Sequence, residues 1–588
     1  MKADAEQIGG IFKAGMLLEV PFYQRSYVWG EDEWARLLDD LSTMAKHSEE
    51  YFLGSIILKL EHPNYSKESP YHLFSNKAIV VDGQQRLTTL QILAKVVALR
   101  SGKNESFKDI FYLTDEDTEE QVLSFIHNRN DRAAFEQIME LDSLKPQDDK
   151  GSNIIAAYNY FANELEKRAE NPINLTKLKQ YVTFVVIELN NDEDEQQIFD
   201  TINSLGMRLT TAELLKNYFF SKENIETYKT HWEDVFERDD ETKAYWDQTI
   251  TTGRLRRSLI DLFFSAFLQL QADKKDGVSE DERRSYEKSE RLFQSYQSFV
   301  KDHCEGDPAS LINSLKVNAE TFRGLFDPSA REHMVGSTSG MDRMNVIIFG
   351  LQNSTLIPYV LYLREHIADN AVFDEMLGIL EAYIMRRMVL RADTKNYNRF
   401  FSGLIREGVA TPDALRKRLF REQESTTDLP SLEKVDEAFH TEGRLNHLQA
   451  RGILYLLEAS LRDEKDCTQL LGFDSYSLEH LMPQKWEEQW PFDGDEQAKQ
   501  NRNDVLKTLG NLAIITQGLN SSVSNAPWDV KKKGREKQGR TRAKVGLESS
   551  AAGLRTMEKP LAAEVWDEAA IAERAEELAA VANEVWAI

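Results

Sequence analysis

Three short segments near the C-terminus constrain the fold more than any other feature of the sequence. An acid and a histidine, Glu479 and His480, end one apolar stretch, and Asn511 comes directly before a second. A further asparagine, Asn520, follows this second stretch and precedes a predicted helix. Runs of β-branched and aliphatic residues of this length favour strands, so the pattern predicts two strands with a long connection, followed by a helix.

The residue types in this pattern suit the hydrolysis of a phosphodiester. A histidine near its ordinary pKa can take a proton from water at neutral pH, which makes His480 a candidate general base. Mg²⁺ or Mn²⁺ prefers oxygen ligands, and Glu479 and Asn520 offer them. Asn511 is placed to hold the loop after His480 by side-chain hydrogen bonds. The alternative is a buried histidine with incidental asparagines, which four elements in this order disfavour.

A basic run follows these segments directly. Residues 531–544 contain eight basic residues and one acid, in a chain whose net charge is −26. A run of this kind is often only a solvated face, but its position favours contact with DNA phosphates through Lys531, Lys532, Lys533 and Arg535. Because the acidic chain repels nucleic acid as a whole, such contact must be confined to patches or clefts.

The length of 588 residues exceeds what one core accommodates and predicts several domains. We expect a mixed domain over 1–225, a helical connecting domain over 226–440, a domain with the strand–strand–helix pattern over 441–550 and a C-terminal helix over 551–588. Two distant cysteines disfavour a disulfide framework and a structural zinc site. No secretory signal and no apolar run of about 18 residues is visible, which predicts a cytoplasmic protein that does not cross a membrane.

A second polar cluster lies in the first hundred residues. A predicted buried strand leads through Asp82 into Gln84, Gln85 and Arg86, at the start of a predicted helix. The N-terminus of a helix presents free N–H groups and a partial positive charge, which hold phosphate. No GxxxxGK[ST] loop occurs in the chain, and from these residues alone a capped strand-to-helix turn is the better interpretation.

Aromatic residues gather around an arginine further upstream. Tyr23, Tyr27 and Trp29 stand close to Gln24 and Arg25. Rings of this kind, together with arginine, can stack on a base or a nucleotide. Taken alone, such a segment is more often the half-buried aromatic edge of a domain.

The C-terminal pattern resembles the HNH endonuclease superfamily, and specifically the C-terminal domain of the GmrSD restriction enzymes. The resemblance is carried by residues 479–484, 509–512 and 520–525. It implies a ββα-metal domain with His480 as general base, Asn511 as a structural asparagine and Asn520 as a metal-binding residue. Glu479 stands at a position where many such enzymes have a metal-binding aspartate.

The N-terminal segments resemble the N-terminal domain of the same family, which implies a ParB/sulfiredoxin-like fold. The resemblance is carried by residues 20–29, 52–56, 80–90, 198–206 and 214–217. It implies binding and hydrolysis of GTP or ATP and sensing of modified DNA. The implied nucleotide-site candidates are Gln24, Arg25, Asp82, Gln84, Gln85 and Arg86, and the implied DNA-sensing candidates are Tyr23, Tyr27 and Trp29.

Together these features predict an α+β, multidomain protein that acts as a modification-dependent DNA endonuclease in anti-phage defence. Its expected partners are a nucleoside triphosphate and DNA that is phosphorothioated, hydroxymethylated or glucosylated, and a homo-oligomer is compatible with the sequence. Two alternatives stay open. One is a nucleotide- or DNA-binding regulator with an inactive HNH remnant, and the other is an RNA or tRNA nuclease that uses the same residues.

Overall fold

The computed structural model describes most of the chain. The described residues are 2–13, 16–21, 24, 26–61, 76–114, 121–168, 172–189, 210–220, 224–252, 255–288, 291–422, 426–441, 445–463, 469–519, 525–535 and 544–588. Asn520, Tyr23 and Arg25 lie outside these ranges, as does the motif over 198–206. Across the described ranges, no helix is both long and apolar enough to span a membrane.

The chain divides into two compact units, residues 1–225 and 226–588. The division into four domains that we inferred from the sequence stays a prediction. In the structure, the residues assigned to the last three of those domains share the second unit. Each unit mixes helices with strands, so the fold class is α+β.

A six-stranded mixed sheet forms the centre of the first unit. The described strands of this unit, six of which form the sheet, are β1 (Lys2–Gln7), β2 (Met16–Glu19), β3 (Tyr51–Glu61), β4 (Asn76–Asp82), β5 (Tyr112–Thr114), β6 (Gln121–Leu123), β7 (Phe125–Ile126) and β8 (Val182–Leu189). The order in the sheet is β1-β8-β3-β4-β2-β7, with β1/β8 and β3/β4 antiparallel and the other neighbours parallel. Strands β5 and β6 form a separate antiparallel pair.

Helices cover this sheet, and one of them is buried along almost its whole length. The helices are α1 (Ile8–Lys13), α2 (Glu31–His47), α3 (Gln84–Ser101), α4 (Asn104–Phe111), α5 (Arg129–Met139), α6 (Asn153–Lys167), α7 (Leu175–Tyr181) and α8 (Thr211–Phe219). Helix α3 is buried on nearly all sides because apolar residues surround its axis. It begins directly after β4, so the Asp82 turn lies at the end of a central strand.

Helices dominate the second unit. They are α9 (Ile225–Tyr228), α10 (Asp240–Asp247), α11 (Leu259–Asp273), α12 (Glu280–Tyr286), α13 (Leu292–His303), α14 (Ala309–Leu325), α15 (Met341–Asn345), α16 (Ile357–His366), α17 (Asn370–Val389), α18 (Tyr397–Arg406), α19 (Pro412–Arg421), α20 (Leu432–His440), α21 (His447–Leu461), α22 (Glu496–Val505), α23 (Trp528–Lys533), α24 (Leu547–Ser550), α25 (Glu558–Ala562) and α26 (Glu568–Val585). Single π-helical and 3₁₀ turns separate some of them, among them a π-helix over Lys229–Glu237 and a 3₁₀ turn over Leu509–Asn511.

The strands of the second unit form three short antiparallel pairs. They are β9 (Thr249–Thr252) with β10 (Leu255–Ser258), β11 (Tyr476–His480) with β12 (Leu512–Thr516), and β13 (Gly534–Arg535) with β14 (Lys544–Val545). Helix α21 packs against β11 and β12, and α26 packs against the turn over Leu509–Asn511. The strand–strand–helix order that the sequence predicted is therefore present in β11, β12 and α23.

The C-terminal end of the chain is tied to the middle of this unit. Arg386 of the buried helix α17 donates to the carbonyl oxygen of Trp586, with Nε 2.7 Å away. The indole Nε1 of Trp586 donates in turn to Glu381, which forms a buried ion pair with Arg343. The C-terminal helix α26 is therefore an integral element of the second unit.

Candidate active site

The antiparallel pairing of β11 and β12 brings the two central residues of the C-terminal pattern together. His480 ends β11 and pairs with Leu512, the first residue of β12. Asn511 precedes Leu512, so both residues lie at the same end of the strand pair. The backbone N–H of Leu481 donates to the carbonyl oxygen of Asn511 at 2.9 Å, which continues the pairing past the strands.

The side chain of Asn511 fixes the loop that follows His480. Asn511 is fully buried. Its Oδ1 accepts the backbone N–H of Met482 at 2.8 Å, and its Nδ2 donates to the carbonyl oxygens of Met482 at 2.9 Å and Leu506 at 3.0 Å. These hydrogen bonds are of the kind that the sequence predicted for Asn511, while its importance for catalysis stays a prediction.

His480 is a neutral imidazole at physiological pH. Burial lowers the pKa of His480 to about 4, and electrostatic interactions with His447 and Lys531 act in the same direction. The amide nitrogen of Gln484 lies 3.1 Å from Nε2. The side-chain amide of Gln484 therefore engages this ring nitrogen. The side chain is half-buried, so water reaches the imidazole, but the lowered pKa makes it a weaker base than the ordinary histidine that the sequence predicted.

Glu479 is held by a buried lysine. Nζ of Lys531 lies 2.5 Å from Oε1 of Glu479 and 2.7 Å from the carbonyl oxygen of His480. Burial raises the pKa of Glu479, and Lys531 counteracts this. Lys531 itself is 0% exposed, so the structure places it inside the unit and not on the DNA-facing surface that the sequence predicted.

The rest of the basic run lies nearer the surface. Lys532 is half-buried and donates to the carbonyl oxygen of Ala563 at 2.9 Å. Lys533 and Arg535 are exposed. These last two side chains are therefore the described members of the run that are free to meet a phosphate from solvent.

The residues around His480 supply donors of the type that a divalent cation accepts. Glu479 contributes carboxylate oxygens, which suit Mg²⁺ or Mn²⁺, whereas the imidazole of His480 better suits softer cations such as zinc. Lys531 already neutralises one oxygen of Glu479. Among the described residues no cluster of three or more His, Cys, Asp and Glu is present. The further ligand predicted from the sequence, Asn520, lies outside the described residues.

In the first unit, the turn before α3 contains one ion pair beside a helix N-terminus that no side chain caps. Nη2 of Arg86 lies 2.8 Å from Oδ2 of Asp82, and both side chains are partly exposed. Gly83 adopts φ 99° and has no side chain that could cap the helix, so the first N–H groups of α3 lack a side-chain cap. Arg86 packs on the backbone of Gly54, where a Cβ would lie 2.7 Å from its Nη1.

Two glutamines predicted at this site hold the structure together. Nε2 of Gln24 donates to the carbonyl oxygens of Val80 at 3.2 Å and Val81 at 3.0 Å. Oε1 of Gln85 accepts the N–H of Val28 at 2.9 Å, and its Nε2 donates to the carbonyl of Ser26. The structure thus brings the upstream segment and the Asp82 turn together, as the sequence implied, but through side chains that are already engaged. Gln84 is buried as well.

The structure corrects one of the aromatic candidates for sensing DNA. Tyr27 is buried, with its hydroxyl 2.6 Å from Oγ1 of Thr89, and the indole of Trp34 donates to that hydroxyl at 2.7 Å. Thr89 donates to a backbone carbonyl, so the Tyr27 hydroxyl donates to Thr89 and has no remaining hydrogen for a ligand. Trp29 is half-buried against the core. Tyr23 lies outside the described residues.

Two residues of the C-terminal segment contact Asn511 and its neighbours in the candidate active site and were not predicted. Trp566 donates from Nε1 to Oδ1 of Asn511 at 3.1 Å. Arg574 of α26 donates to the carbonyl oxygens of Gly510 at 2.6 Å and Leu512 at 2.7 Å. An arginine within the apolar stripe of an amphipathic helix was a usable signal, because such a position ordinarily holds an aliphatic residue.

Two family models match the chain, and both describe restriction endonucleases. The N-terminal domain of the GmrSD restriction endonuclease matches residues 8–220, and the C-terminal domain of the GmrSD restriction endonucleases matches residues 430–581. The second match contains the β11–β12 pair, α23 and most of α26. No curated protein matches the chain. These matches identify a restriction-type DNA endonuclease. The chain belongs to the GmrSD restriction endonuclease family.

Proposed function

We propose that this protein cleaves DNA by general-base activation of water at His480, in an HNH-type ββα-metal site. The observation that carries the proposal is the half-buried imidazole of His480 at the end of β11, with the loop after it locked by Asn511. A neutral imidazole accepts a proton from water through the ring nitrogen that Gln484 does not engage. Attack by the resulting hydroxide on phosphorus breaks the phosphodiester.

A divalent cation, Mg²⁺ or Mn²⁺, is part of this proposal. Glu479 and Asn520 would hold it, and when bound it would offset the negative charge that develops on the phosphate. The exposed Lys533 and Arg535 would position the DNA backbone beside this site. Replacing both by alanine should weaken DNA binding and lower the slope of log K against log salt by about two.

A plasmid cleavage assay with magnesium tests the proposed base. His480→Ala should lower the cleavage rate about 100-fold or more while DNA binding and folding are retained. His440→Ala is the matched control, because His440 is an exposed histidine at the end of α20. Cleavage by His480→Ala at the rate of the His440→Ala control would remove His480 as the base.

We further propose that GTP or ATP binds at the Asp82 turn of a ParB-like domain, is hydrolysed there, and gates cleavage of modified DNA. The uncapped N-terminus of α3 and the arginine beside it support this, since both favour phosphate. Arg86→Ala should weaken nucleotide binding about tenfold. Arg132→Ala is the matched control, because Arg132 forms an ordinary surface ion pair of the same (i, i+4) spacing with Glu136.

The gate itself is tested with plasmids. Unmodified DNA is compared with phosphorothioated, hydroxymethylated and glucosylated DNA, each with and without nucleotide. We expect cleavage to depend on both nucleotide and modification. Equal rates under all conditions would leave a nuclease without a gate.

A further inference from the structure

We infer that Trp566 and Arg574 are positioning residues of the active site, which hold the Asn511 turn and through it the loop after His480. The inference rests on the proposed function, because it assigns these residues a part in the cleavage at His480. Both residues come from the C-terminal segment, beyond the end of the pattern that the sequence made visible. Neither contacts His480 directly, so each would act through Asn511 and its neighbours.

Trp566 completes the hydrogen bonding of Asn511. The amide of an asparagine has two hydrogens on Nδ2 and two lone pairs on Oδ1. In Asn511 the two hydrogens go to the carbonyls of Met482 and Leu506, and the lone pairs accept from Met482 N–H and Trp566 Nε1. All four positions are occupied, so the orientation of the amide is fully determined. Without Trp566, a buried lone pair of Oδ1 would lose its donor.

Trp566 also connects the Asn511 turn to α23. Its ring stacks on that of Trp528 with centroids 5.4 Å apart and planes at 28°. Trp528 is the first residue of α23, the helix that carries Lys531. Asn511 holds the loop after His480, and Lys531 binds the His480 carbonyl. The buried indole of Trp566 contacts the side chain of Asn511 and the helix that carries Lys531, and so links these two restraints.

Arg574 holds the backbone on both sides of Asn511. Its Nη1 bridges the carbonyls of Gly510 and Leu512, and its Nε donates to the carbonyl of Thr556 at 3.2 Å. Helix α26 approaches this backbone closely, since a Cβ at Gly510 would lie 2.3 Å from the carbonyl oxygen of Ile571. The Leu509–Asn511 turn is thus held by the side chain of Arg574 and packed against the backbone of α26.

Because Arg574 is charged, filling space in the core does not explain why an arginine occupies this position. Arg574 is 1% exposed, and burial lowers its pKa to about 10, which leaves it charged at neutral pH. Burying a guanidinium costs free energy that an aliphatic residue at the same place would not incur. The gain at this position is a planar guanidinium whose Nη1 fixes two carbonyls at a defined separation.

Trp566→Phe tests the inference because it deletes one N–H and keeps the ring stacked on Trp528. We expect the single-turnover rate of plasmid cleavage to fall about tenfold, with the KM for DNA changed less than twofold and the thermal midpoint close to that of the control. The control is Trp586→Phe, which deletes the equivalent N–H at the other end of α26. A cleavage rate for Trp566→Phe equal to that of Trp586→Phe overturns the inference.

A second variant decides the matter if Trp566→Phe does not fold. Arg574→Lys keeps the charge but loses Nε and the planar group that directs Nη1, and the same loss of rate at constant KM is expected. A normal rate for a folded Arg574→Lys overturns the inference. Wild type and His480→Ala are measured alongside. An inactive wild type would refute the proposed function itself. If wild type cleaves and His480→Ala does not, the proposed function stands, and normal rates of the Trp566 and Arg574 variants would refute only the inference about these two residues.

Discussion

Replacing Lys531 by methionine removes the buried ammonium that joins α23 to the end of β11. Two partners lose their donor: the carboxylate of Glu479 and the carbonyl oxygen of His480. Methionine fills a similar volume, so the loss is mainly electrostatic. The prediction is that the strand end bearing His480 opens more often.

The magnitude follows from the burial of the pair. Lys531 is 0% exposed and the side chain of Glu479 13%. Removing one partner of a buried ion pair costs about 3 to 5 kcal/mol. Burial already raises the pKa of Glu479, so without Lys531 the carboxyl takes up a proton more readily, which limits the loss to about 3 kcal/mol. An opening equilibrium shifted by that amount changes about 100-fold.

Hydrogen–deuterium exchange measures this opening locally, which suits a protein of two units better than a global unfolding curve. Amides of β11 and β12 should exchange about 100-fold faster in Lys531→Met, and those of the first unit should not change. The matched control is Lys533→Met, an exposed member of the same lysine run. Adding Glu479→Gln to Lys531→Met should restore part of the protection, because the buried carboxyl is then uncharged. Equal exchange in Lys531→Met and Lys533→Met would refute the reasoning.

Two further predictions concern other buried polar residues. Asn511→Asp places an oxygen against the carbonyls of Met482 and Leu506. We expect a loss of stability of about 3 kcal/mol, measured by hydrogen–deuterium exchange, and slower cleavage at unchanged DNA affinity, measured by single-turnover kinetics. A normal stability together with a normal cleavage rate would contradict the account. Burial lowers the pKa of His127 to about 3. Below about pH 6.5 the unfolded chain therefore binds a proton at His127 that the folded chain does not bind. Because of this difference, the free energy of unfolding falls by about 2 kcal/mol between pH 7 and pH 5. Urea unfolding of wild type and His127→Gln at both pH values checks this, and an equal loss in both proteins would show that His127 is not the cause.

The juxtaposition of His480 and Asn511 was accessible from the sequence for a physical reason. Two apolar stretches of strand length, joined by one connection, pair antiparallel, and residues that flank the end of one strand and the start of the next then lie together. A strand pattern followed directly by a helix pattern likewise placed the Asp82 turn between β4 and α3. Local pattern was sufficient in both cases because the elements involved are neighbours in the chain.

Residues within a run of one type were harder to place. Lys531, Lys532 and Lys533 are identical residues in one run. In the helix, however, Lys531 lies on the same buried face as Trp528, which precedes it by three residues. Hydropathy alone assigns all three to solvent. Tyr27 was similarly placed with the aromatics around it, although its hydroxyl is used by Thr89 and Trp34 from other elements.

The partners of Trp566 and Arg574 could not be inferred from local sequence. Trp566 and Arg574 lie more than fifty residues after Asn511. Their partners are backbone carbonyls and one side-chain oxygen, and neither kind of partner leaves a trace in composition or periodicity. Only the packing of the C-terminal helix on the Leu509–Asn511 turn reveals them.

Chemical rescue tests most directly whether His480 is the base. His480→Gly leaves a space in place of the imidazole, and its single-turnover cleavage of plasmid DNA with magnesium is measured with and without added imidazole. We predict a rate about 100-fold below wild type that rises with imidazole concentration, most steeply where free imidazole is neutral. A glycine variant that cleaves as fast as wild type without imidazole would contradict the account.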